Sequence, residues 1–244
     1  MKKFELTSEF ITFLGKKLFR IKALVDFGDV KAGETGGYIE KEENLSQDGD
    51  AWVYGDARVY GDARVYGDAR VYGDARVYGN AQVYGNAQVS GDAWVSGNAQ
   101  VSGDAWVYGD ARVYGNARVY GDARVSGDAQ VYGDARVYGD ARVYGDARVY
   151  GDAQVYGNAR VHKDMDFATV GGFGSEQRTT TFFRQQDGSI GVRCGCFYST
   201  INQFREKVCV THGDTRYAKE YLMIADLMEM HFKEDCTEME EKSR

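Results

Sequence analysis

Four residues near the end of the sequence are of types that bind zinc, namely Cys194, Cys196, Cys209 and His212. A set of three cysteines and one histidine is a common structural zinc site. The first two would share one face of a strand, and the last two would lie one turn apart on a helix. Against zinc, a Cys-x-Cys spacing is unusual for such sites, and cysteines often pack as small apolar residues. Both interpretations stay open, and we assign no metal ligand.

His162 is the one histidine that touches the repetitive part of the chain, where it occupies the last position. Imidazole is the side chain that most often acts as a general base. A histidine at the end of a regular segment is more often solvated than catalytic, and no insertion beside it indicates a substrate loop. We therefore predict no catalytic residue and no cofactor.

The repetitive part runs from Gly49 to His162 and consists of nineteen copies of one six-residue unit. We number the six positions of the unit as slots one to six. Slot one is Gly, slot two is Asp or Asn, and slot three is Ala. Slot four is Arg, Gln or Trp, slot five is Val, and slot six is Tyr or Ser. Ala and Val are two apart and point to one side of a strand, while slot four points outward. Gly can adopt a positive φ at a corner, and we expect the same left-handed backbone at slot two, where Asp and Asn tolerate it. Such a short repeat predicts a parallel β-helix with three hexads, or eighteen residues, per coil.

Outward residues that are eighteen apart would stack in columns. Slot six is Tyr in fourteen copies, but three consecutive copies carry serine, which predicts a groove through a girdle of tyrosines. The predicted binding residues in and beside this groove are Arg76, Trp94, Arg112, Trp106, Ser90, Ser96 and Ser102. Aromatic faces flanked by arginine suit nucleotides or acidic protein segments. Alternatively, the Arg and Tyr columns only cover a β surface and keep it soluble.

The hexad resembles the hexapeptide repeat of left-handed β-helix proteins, in which a small residue, often preceded by Asn or Asp, stands four positions after an aliphatic one. Val, Asp or Asn, and Ala occupy those positions here. The chain departs from that pattern in having Tyr or Ser directly after Val, where the family usually has a small residue. The resemblance implies an all-β fold, a left-handed parallel β-helix. It also implies an acyltransferase-like enzyme with an acyl-CoA donor, since that family is rich in such enzymes.

The chain before the repeat predicts a small N-terminal β cap over residues 1–36. Phe19, Ile21 and Ala23 alternate with basic residues, which is the pattern of a half-buried strand. A terminal coil also needs its unpaired edge covered. A degenerate first coil with a two-residue insertion follows, so that the β-helix as a whole spans 37–162.

The chain after the repeat, residues 163–244, predicts a small α+β domain that follows a glycine-rich joint. Strands at 179–184 and 189–198 would form a hairpin about an Asp-Gly turn. Two helices are predicted next, the first beginning at a capping box and the second near Thr215. A charged tail is expected from Lys233 onward.

Both ends of the chain resemble those of uncharacterised hexapeptide-repeat proteins of bacteriophages and prophages. At the N-terminal end the resemblance rests on residues 18–24 and 36–45. At the C-terminal end it rests on residues 194–197 and 212–214. By its repeat alone, the chain also resembles an enterobacterial protein assigned as an acetyltransferase of this fold. The resemblance carries no established reaction with it.

Composition excludes several function classes. The net charge of −7 argues against a nucleic-acid binder, so double-stranded nucleic acid is not an expected partner. No run of apolar residues is long enough to span a membrane. Four cysteines without an export signal indicate a reducing compartment, and we predict a cytoplasmic protein.

Two function classes remain. We favour a non-catalytic binding protein on a rigid β-helix, encoded by a phage or prophage, that sequesters a host defence protein or a nucleotide-like ligand. Its expected partners are a host or phage protein, or a small anionic ligand, and it is also a candidate homo-oligomer. The alternative is the acyltransferase-like enzyme, which an acetyl-CoA turnover assay would distinguish.

Overall fold

The computed structural model describes residues 1–233 and divides the chain into two compact units. The first unit is Met1–Asp164, and the second begins at Met165. The charged tail that the sequence predicts lies, from residue 234 onward, outside the described residues.

Strands of very different lengths build the first unit. The three longer ones precede the repeat: β1 (Phe4–Phe13), β2 (Lys16–Ala23) and β3 (Thr35–Ile39). A short 3-10 helix, Glu42–Asn44, follows them. Each hexad then contributes one strand of two or three residues that starts at slot four. In chain order, strands β4 to β22 are Trp52–Val53, Arg58–Val59, Arg64–Val65, Arg70–Val71, Arg76–Val77, Gln82–Val83, Gln88–Val89, Trp94–Val95, Gln100–Val101, Trp106–Val107, Arg112–Val113, Arg118–Tyr120, Arg124–Val125, Gln130–Val131, Arg136–Tyr138, Arg142–Val143, Arg148–Val149, Gln154–Val155 and Arg160–Val161.

The short strands stack in register into three parallel sheets, and the predicted fold class is confirmed: a parallel β-solenoid of about seven turns. Every third strand belongs to the same sheet, so that Trp94 pairs with Arg76 and Arg112, eighteen residues away on either side. The nine-stranded sheet has the order β1-β2-β3-β5-β8-β11-β14-β17-β20. The seven-stranded sheet runs β22-β19-β16-β13-β10-β7-β4, and the six-stranded sheet runs β21-β18-β15-β12-β9-β6.

The interior of the solenoid consists of the two inward residues of every hexad. All alanines of slot three and all valines of slot five, from Ala51 to Val161, have no exposed surface. Burying a valine contributes about 1.5–3 kcal/mol. Backbone hydrogen bonds join successive coils, as between the Arg76 N–H and the Ala93 carbonyl at 2.9 Å. Both interactions repeat with every coil and hold the outward side chains in fixed columns.

The corners depend on glycine alone for their left-handed backbone. Gly97 has a φ of 67°, and a Cβ there would lie 2.9 Å from the carbonyl oxygen of Gly115 in the next coil. No slot-two residue of the described chain has a positive φ, so the expectation of a left-handed slot two is wrong. Slot two instead forms side-chain hydrogen bonds between coils, such as Asn98 Nδ2 donating to Asn116 Oδ1 at 3.0 Å.

The N-terminal strands extend the solenoid beyond its first coil. β1 and β2 form an antiparallel hairpin, β2 pairs with β3, and β3 pairs in parallel with β5 in the nine-stranded sheet. The same segment covers Trp52, a slot-four residue that would otherwise face solvent. Trp52 is fully buried, with ring centroids 6.2 Å from Phe4 and 5.3 Å from Phe27. The cap therefore hides both a sheet edge and an aromatic side chain.

Side chains donate hydrogen bonds to carbonyl groups of the first three regular hexads. Lys3 Nζ donates to the carbonyls of Gly49 and Ala51 at 3.1 and 2.9 Å. Asn44 Nδ2 donates to the equivalent pair of carbonyls two hexads later, at 3.0 and 2.8 Å. In the hexad between them, Arg20 donates to the slot-one carbonyl at 3.3 Å. These side chains replace the N–H groups that a preceding coil would supply.

The degenerate coil that precedes the regular hexads is longer than the others. Ile39 pairs with Val59 and Leu45 with Val65, so these partners are two residues further apart than the eighteen that separate partners elsewhere. The additional residues lie between Leu45 and the first regular hexad, where the spacing of the apolar residues predicts an insertion.

The second unit is a four-stranded antiparallel sheet with two helices packed on it. A 3-10 helix at Asp164–Asp166 precedes the strands β23 (Phe167–Val170), β24 (Thr180–Arg184), β25 (Ile190–Cys194) and β26 (Phe197–Thr200). The helices are α1 (Ile201–His212) and α2 (Arg216–Phe232), and α1 begins with the capping box of Thr200 and Gln203. None of the helices in the described chain is long and apolar enough to cross a membrane.

Two details of the second unit differ from the sequence predictions. The strand predicted at 189–198 is two strands, because Gly195, with a φ of 58°, turns the chain so that Cys194 pairs with Phe197. Cys194 and Cys196 therefore do not share a strand face. The segment predicted as a glycine-rich joint contributes β23, which pairs with β24.

Gly97→Ala is expected to destabilise the protein because its Cβ would meet a carbonyl oxygen while the backbone keeps a positive φ. An L-residue in the left-handed region costs about 1–2 kcal/mol. The free energy of unfolding in urea should fall by at least this amount, whereas the neighbouring Ser96→Ala should change it by less than about 0.5 kcal/mol. Equal effects of the two substitutions would contradict the assigned role of glycine.

Lys3 is expected to stabilise the protein increasingly in mildly alkaline solution. Lys3 is 4% exposed. Burial lowers the pKa of Lys3 from 10.5 to about 8, although the charge of Asp50 acts to raise it. Between these values the unfolded chain binds more protons than the folded one, so stability rises with pH. The free energy of unfolding of the wild type minus that of Lys3→Met should therefore increase between about pH 7 and pH 9.5. A constant or decreasing difference would argue against a buried Lys3.

Candidate functional site

The structure brings three of the predicted binding residues together on the nine-stranded sheet. Arg76, Trp94 and Arg112 are successive members of one slot-four column, on β8, β11 and β14. The two guanidinium carbons lie 5.0 and 4.9 Å from the Trp94 ring, one in the coil before it and one in the coil after. Cation–π contacts of about 0.5–1 kcal/mol each hold the indole. They also occupy both of its faces, so Trp94 is not available to stack on a ligand.

The N-terminal cap reaches Arg76. The Phe13 ring lies 5.3 Å from the Arg76 guanidinium carbon and 4.7 Å from that of Arg58. Arg76 Nε is buried without a hydrogen-bond partner, whereas Arg112 is exposed. Arg76 is half-buried, so the positive charge of this column is more accessible at Arg112 than at Arg76.

Trp106 lies on a different sheet from Trp94. It occupies β13 of the seven-stranded sheet, between Gln88 and Arg124, and its ring is 5.1 Å from the Arg124 guanidinium carbon. Trp106 is 38% exposed and Tyr108 is 37% exposed. Their ring centroids are 6.5 Å apart in an edge-to-face arrangement. The two side chains form an exposed aromatic pair.

The three predicted serines lie at three different corners. Slot six precedes each corner, so consecutive copies place Ser90, Ser96 and Ser102 around the solenoid rather than on one side of it. Elsewhere the tyrosines of slot six stack, as Tyr66 does on Tyr84 with ring centroids 4.9 Å apart. Each serine interrupts one such stack. The predicted groove is therefore a ring of three gaps.

One corner has a second gap. We call it the Tyr108 corner; it joins the seven-stranded sheet to the nine-stranded sheet. Its slot-six column consists of Tyr54, Tyr72, Ser90, Tyr108, Ser126, Tyr144 and His162. Because serines stand directly before and after it in the column, Tyr108 has no stacked tyrosine on either side. Its edge-to-face contact with Trp106 takes the place of stacking.

Glutamine at slot four has a role that the sequence analysis does not identify. The Tyr72 hydroxyl donates to Gln88 Oε1 at 2.8 Å, and equivalent bonds from tyrosines reach Gln82, Gln130 and Gln154. The partners are sixteen residues apart, which is the step from slot six of one coil to slot four of the next. This spacing is visible in the sequence once the coil length is known.

Acidic and basic side chains form separate columns. Slot two of the Tyr108 corner is Asp in every coil from Asp56 to Asp146. Three successive arginines follow Trp106 on the seven-stranded sheet, and we call Arg124, Arg142 and Arg160 the arginine column. Within residues 1–233 no ion pair joins Arg124 or Arg142 to a carboxylate. Burial, followed by the charge of Arg142, lowers the pKa of Arg160. The positive charges of Arg124 and Arg142 are therefore not compensated by an ion pair within the described chain.

The possible zinc ligands do not form a cluster. Cys196 and Cys209 are exposed, and Cys194 is half-buried. His212 lies beside Tyr221, with ring centroids 5.8 Å apart. Among the residues that the structure describes, no group of three or more His, Cys, Asp or Glu is arranged to hold a metal ion.

His162 closes its slot-six column. Its ring lies 5.0 Å from that of Tyr144 in the coil before. A Cβ on Gly145 would meet the His162 side chain, which fills the place that the glycine of a further hexad takes elsewhere. His162 therefore acts as the terminal ring of an aromatic column.

A family model described as YdcK Beta solenoid repeat matches the regular coils. Its matches are residues 51–67, 57–71, 63–79, 69–85, 81–97, 87–103, 99–115, 111–127, 129–142, 141–153 and 153–164. Together they cover somewhat less than half of the chain. No curated protein matches the sequence. The family match and the stacked strands agree that the chain is a β-solenoid repeat protein.

The indole contacts predict that Trp94 contributes more to stability than Trp106. Trp94 contacts two guanidinium groups and Trp106 contacts one. Trp94→Ala should lower the free energy of unfolding by about 1–2 kcal/mol. Trp106→Ala should lower it by less than about 1 kcal/mol. Urea denaturation followed by circular dichroism measures both values, and a larger loss for Trp106→Ala would contradict the assignment.

Proposed function

We propose that this β-solenoid repeat protein acts by binding rather than by turnover, and that it holds an acidic segment of a partner protein. The binding stripe consists of Trp106 and Tyr108 with the arginine column below them on the seven-stranded sheet. The observation that carries this proposal is the exposed aromatic pair placed at the head of Arg124 and Arg142, which form no ion pair with a carboxylate of residues 1–233.

The charge of the stripe suits an acidic partner. Strands of one sheet are about 4.8 Å apart, so the exposed residues Arg124 and Arg142 leave the backbone at that spacing. Guanidinium groups bind carboxylates in a planar, bidentate geometry that lysine does not match. Burial is the main cause of the lowered pKa of Arg160, and repulsion by the neighbouring Arg142 is the second. A carboxylate laid along the column would relieve this repulsion.

The aromatic pair supplies the anchor. Trp, Tyr and Arg are the residues that most often carry the binding energy of protein interfaces. Trp106 is fixed on one side by Arg124 and on its edge by Tyr108, so it loses little conformational freedom on binding. The stripe offers guanidinium, indole and phenol groups, none of which is a general base near neutral pH. Such a surface favours recognition over catalysis.

The partner to test first is a host protein met in the cytoplasm. Both ends of the chain resemble proteins of phages and prophages, and sequestration of a host defence protein is the role we propose. A small anionic ligand, such as a nucleotide, is the other outcome that the test distinguishes.

Retention of a partner from host lysate should depend on the stripe. We expect Trp106→Ala and Arg124→Gln each to reduce recovery of the partner at least about tenfold, because anchor residues carry about 2 kcal/mol or more. Arg118→Gln is the matched control, since Arg118 is an exposed slot-four arginine on the six-stranded sheet. Mass spectrometry of the bound proteins, with titration of the purified partner afterwards, measures the effect.

Two results would contradict the proposal. One is equal recovery of the partner by all baits, including the wild type. The other is recovery of a nucleotide in place of a protein. Recovered protein should also dissociate as salt is raised, because the attraction between exposed charges is screened.

A further inference from the structure

The second unit contains a cavity of about 240 Å³ that the proposed function does not use. Its lining comes from α1, α2, the end of β25, the start of β26 and the segment before β24. They include Arg178, Cys194, Phe197, Phe204, Lys207 and Tyr221. All of them belong to one compact unit, so the cavity is complete within it.

The floor of the cavity is apolar and aromatic. Phe204 and Tyr221 are buried, with ring centroids 5.6 Å apart in an edge-to-face arrangement. Phe197 lies 5.7 Å from Phe204. Aromatic side chains in such a cluster accept another flat apolar group by edge-to-face or offset contact.

Polar groups converge on one side of this floor. The Tyr221 hydroxyl donates to the Phe173 carbonyl at 3.4 Å and lies near Cys194, and the His212 ring lies 5.8 Å from that of Tyr221. Burial and the neighbouring Cys194 raise the pKa of Tyr221 to about 12, so its hydroxyl stays protonated near neutral pH. The proton of Tyr221 is held by a backbone carbonyl, which leaves Arg178 and Lys207 as the donors to an anion. Gly174 stays close to this hydroxyl because a Cβ there would overlap the tyrosine ring.

The mouth of the cavity is basic. Arg178 packs over Gly195, where a Cβ would lie 2.6 Å from its guanidinium nitrogen. Arg178 keeps a long contact of 3.5 Å with Glu176 and is 53% exposed at its side chain. Lys207 has no ion-pair partner among the described residues. Two cations thus face one carboxylate, and the side chains of the mouth carry a net positive charge.

We propose that this cavity binds a small organic anion: a flat apolar body against Phe197, Phe204 and Tyr221, with a carboxylate or phosphate head toward Arg178 and Lys207. Small-molecule sites combine an apolar lining with a few convergent polar groups in this way. The charged head gains charge-assisted hydrogen bonds, and the body gains the burial of apolar surface. The site is separate from the binding stripe of the solenoid and does not depend on it.

Titration of the full-length protein with three small aromatic probes tests the proposal. Benzoate and phenyl phosphate carry the two possible heads, and benzamide is the neutral match for benzoate. Ligand-observed NMR should give a dissociation constant of about 10⁻⁴–10⁻³ M for at least one of the anions. We expect benzamide to bind at least about tenfold more weakly, since it lacks the charge-assisted contacts.

Substitutions locate the binding. Arg178→Gln and Lys207→Gln should each weaken anion binding about tenfold, whereas Lys219→Gln, an exposed lysine of α2 outside the cavity, should leave it unchanged. Both cavity cations are exposed, so their removal should not unfold the domain. Equal affinity for benzamide and benzoate, or unchanged binding in both cavity variants, would overturn the proposal.

Alkylation of cysteines provides a second measurement with an internal control. Cys194 lines the cavity, while Cys209 is exposed on the same protein outside it. The bound anion should slow iodoacetamide labelling of Cys194, read by peptide mass spectrometry, and leave the labelling of Cys209 unchanged. Equal labelling of Cys194 with and without a saturating anion would place the ligand elsewhere and overturn the assignment.

Discussion

The placement of two inward residues in every hexad, Ala at slot three and Val at slot five, governs the rest of the first unit. Both are fully buried in all nineteen copies, and between the two ends of the solenoid the backbone pairs with the coil before and the coil after. A strand that is hydrogen-bonded on both sides cannot slide or rotate separately. Every outward side chain therefore faces the residues eighteen positions away, at the spacing of about 4.8 Å set by the sheet. The chemistry of the surface is decided by these neighbours, and much less by neighbours in sequence.

Most of this architecture could be predicted, because the repeat fixes both the strand and the coil length. The alternation of Ala and Val identifies the buried face, and three hexads per coil place Arg76, Trp94 and Arg112 in one column, which the structure contains. In the second unit, Thr200 and Gln203 identify the start of α1 for the same reason: a local pattern has a local structural consequence. The glycine corner follows from the same kind of argument. Slot two does not, since Asp and Asn are also favoured by side-chain hydrogen bonds between coils, which single-residue preference does not distinguish from a left-handed backbone.

What the sequence could not supply depends on long-range contacts. The burial of Trp52 results from Phe4 and Phe27, which are far from it along the chain, so its slot-four position predicts exposure. The occupied faces of Trp94 follow from how close its neighbours lie, and column membership alone leaves room for a ligand. The cavity of the second unit likewise arises where α1 and α2 meet the end of β25, and no spacing in the sequence brings those segments together.

The hexads of this solenoid are nearly identical, so only the substitutions at their variable slots distinguish one position on its surface from another. An inward exchange would disturb a packed core, whereas an outward exchange of Tyr for Ser changes only a column, so departures accumulate outside. Three consecutive serines open one gap at each corner and distinguish no corner from another. Ser126 breaks this symmetry, because it gives the Tyr108 corner a second gap and leaves Tyr108 as the one slot-six tyrosine with serine on both sides in its column.

Trp106 stands two residues before this tyrosine and contacts it. The exposed aromatic pair and the doubled gap thus coincide at one corner, beside Arg124 and Arg142, for which the described chain offers no ion pair with a carboxylate. Solubility alone requires no such coincidence, since Arg and Tyr at these positions already cover the sheets elsewhere, and the binding role that we propose for this corner would account for it.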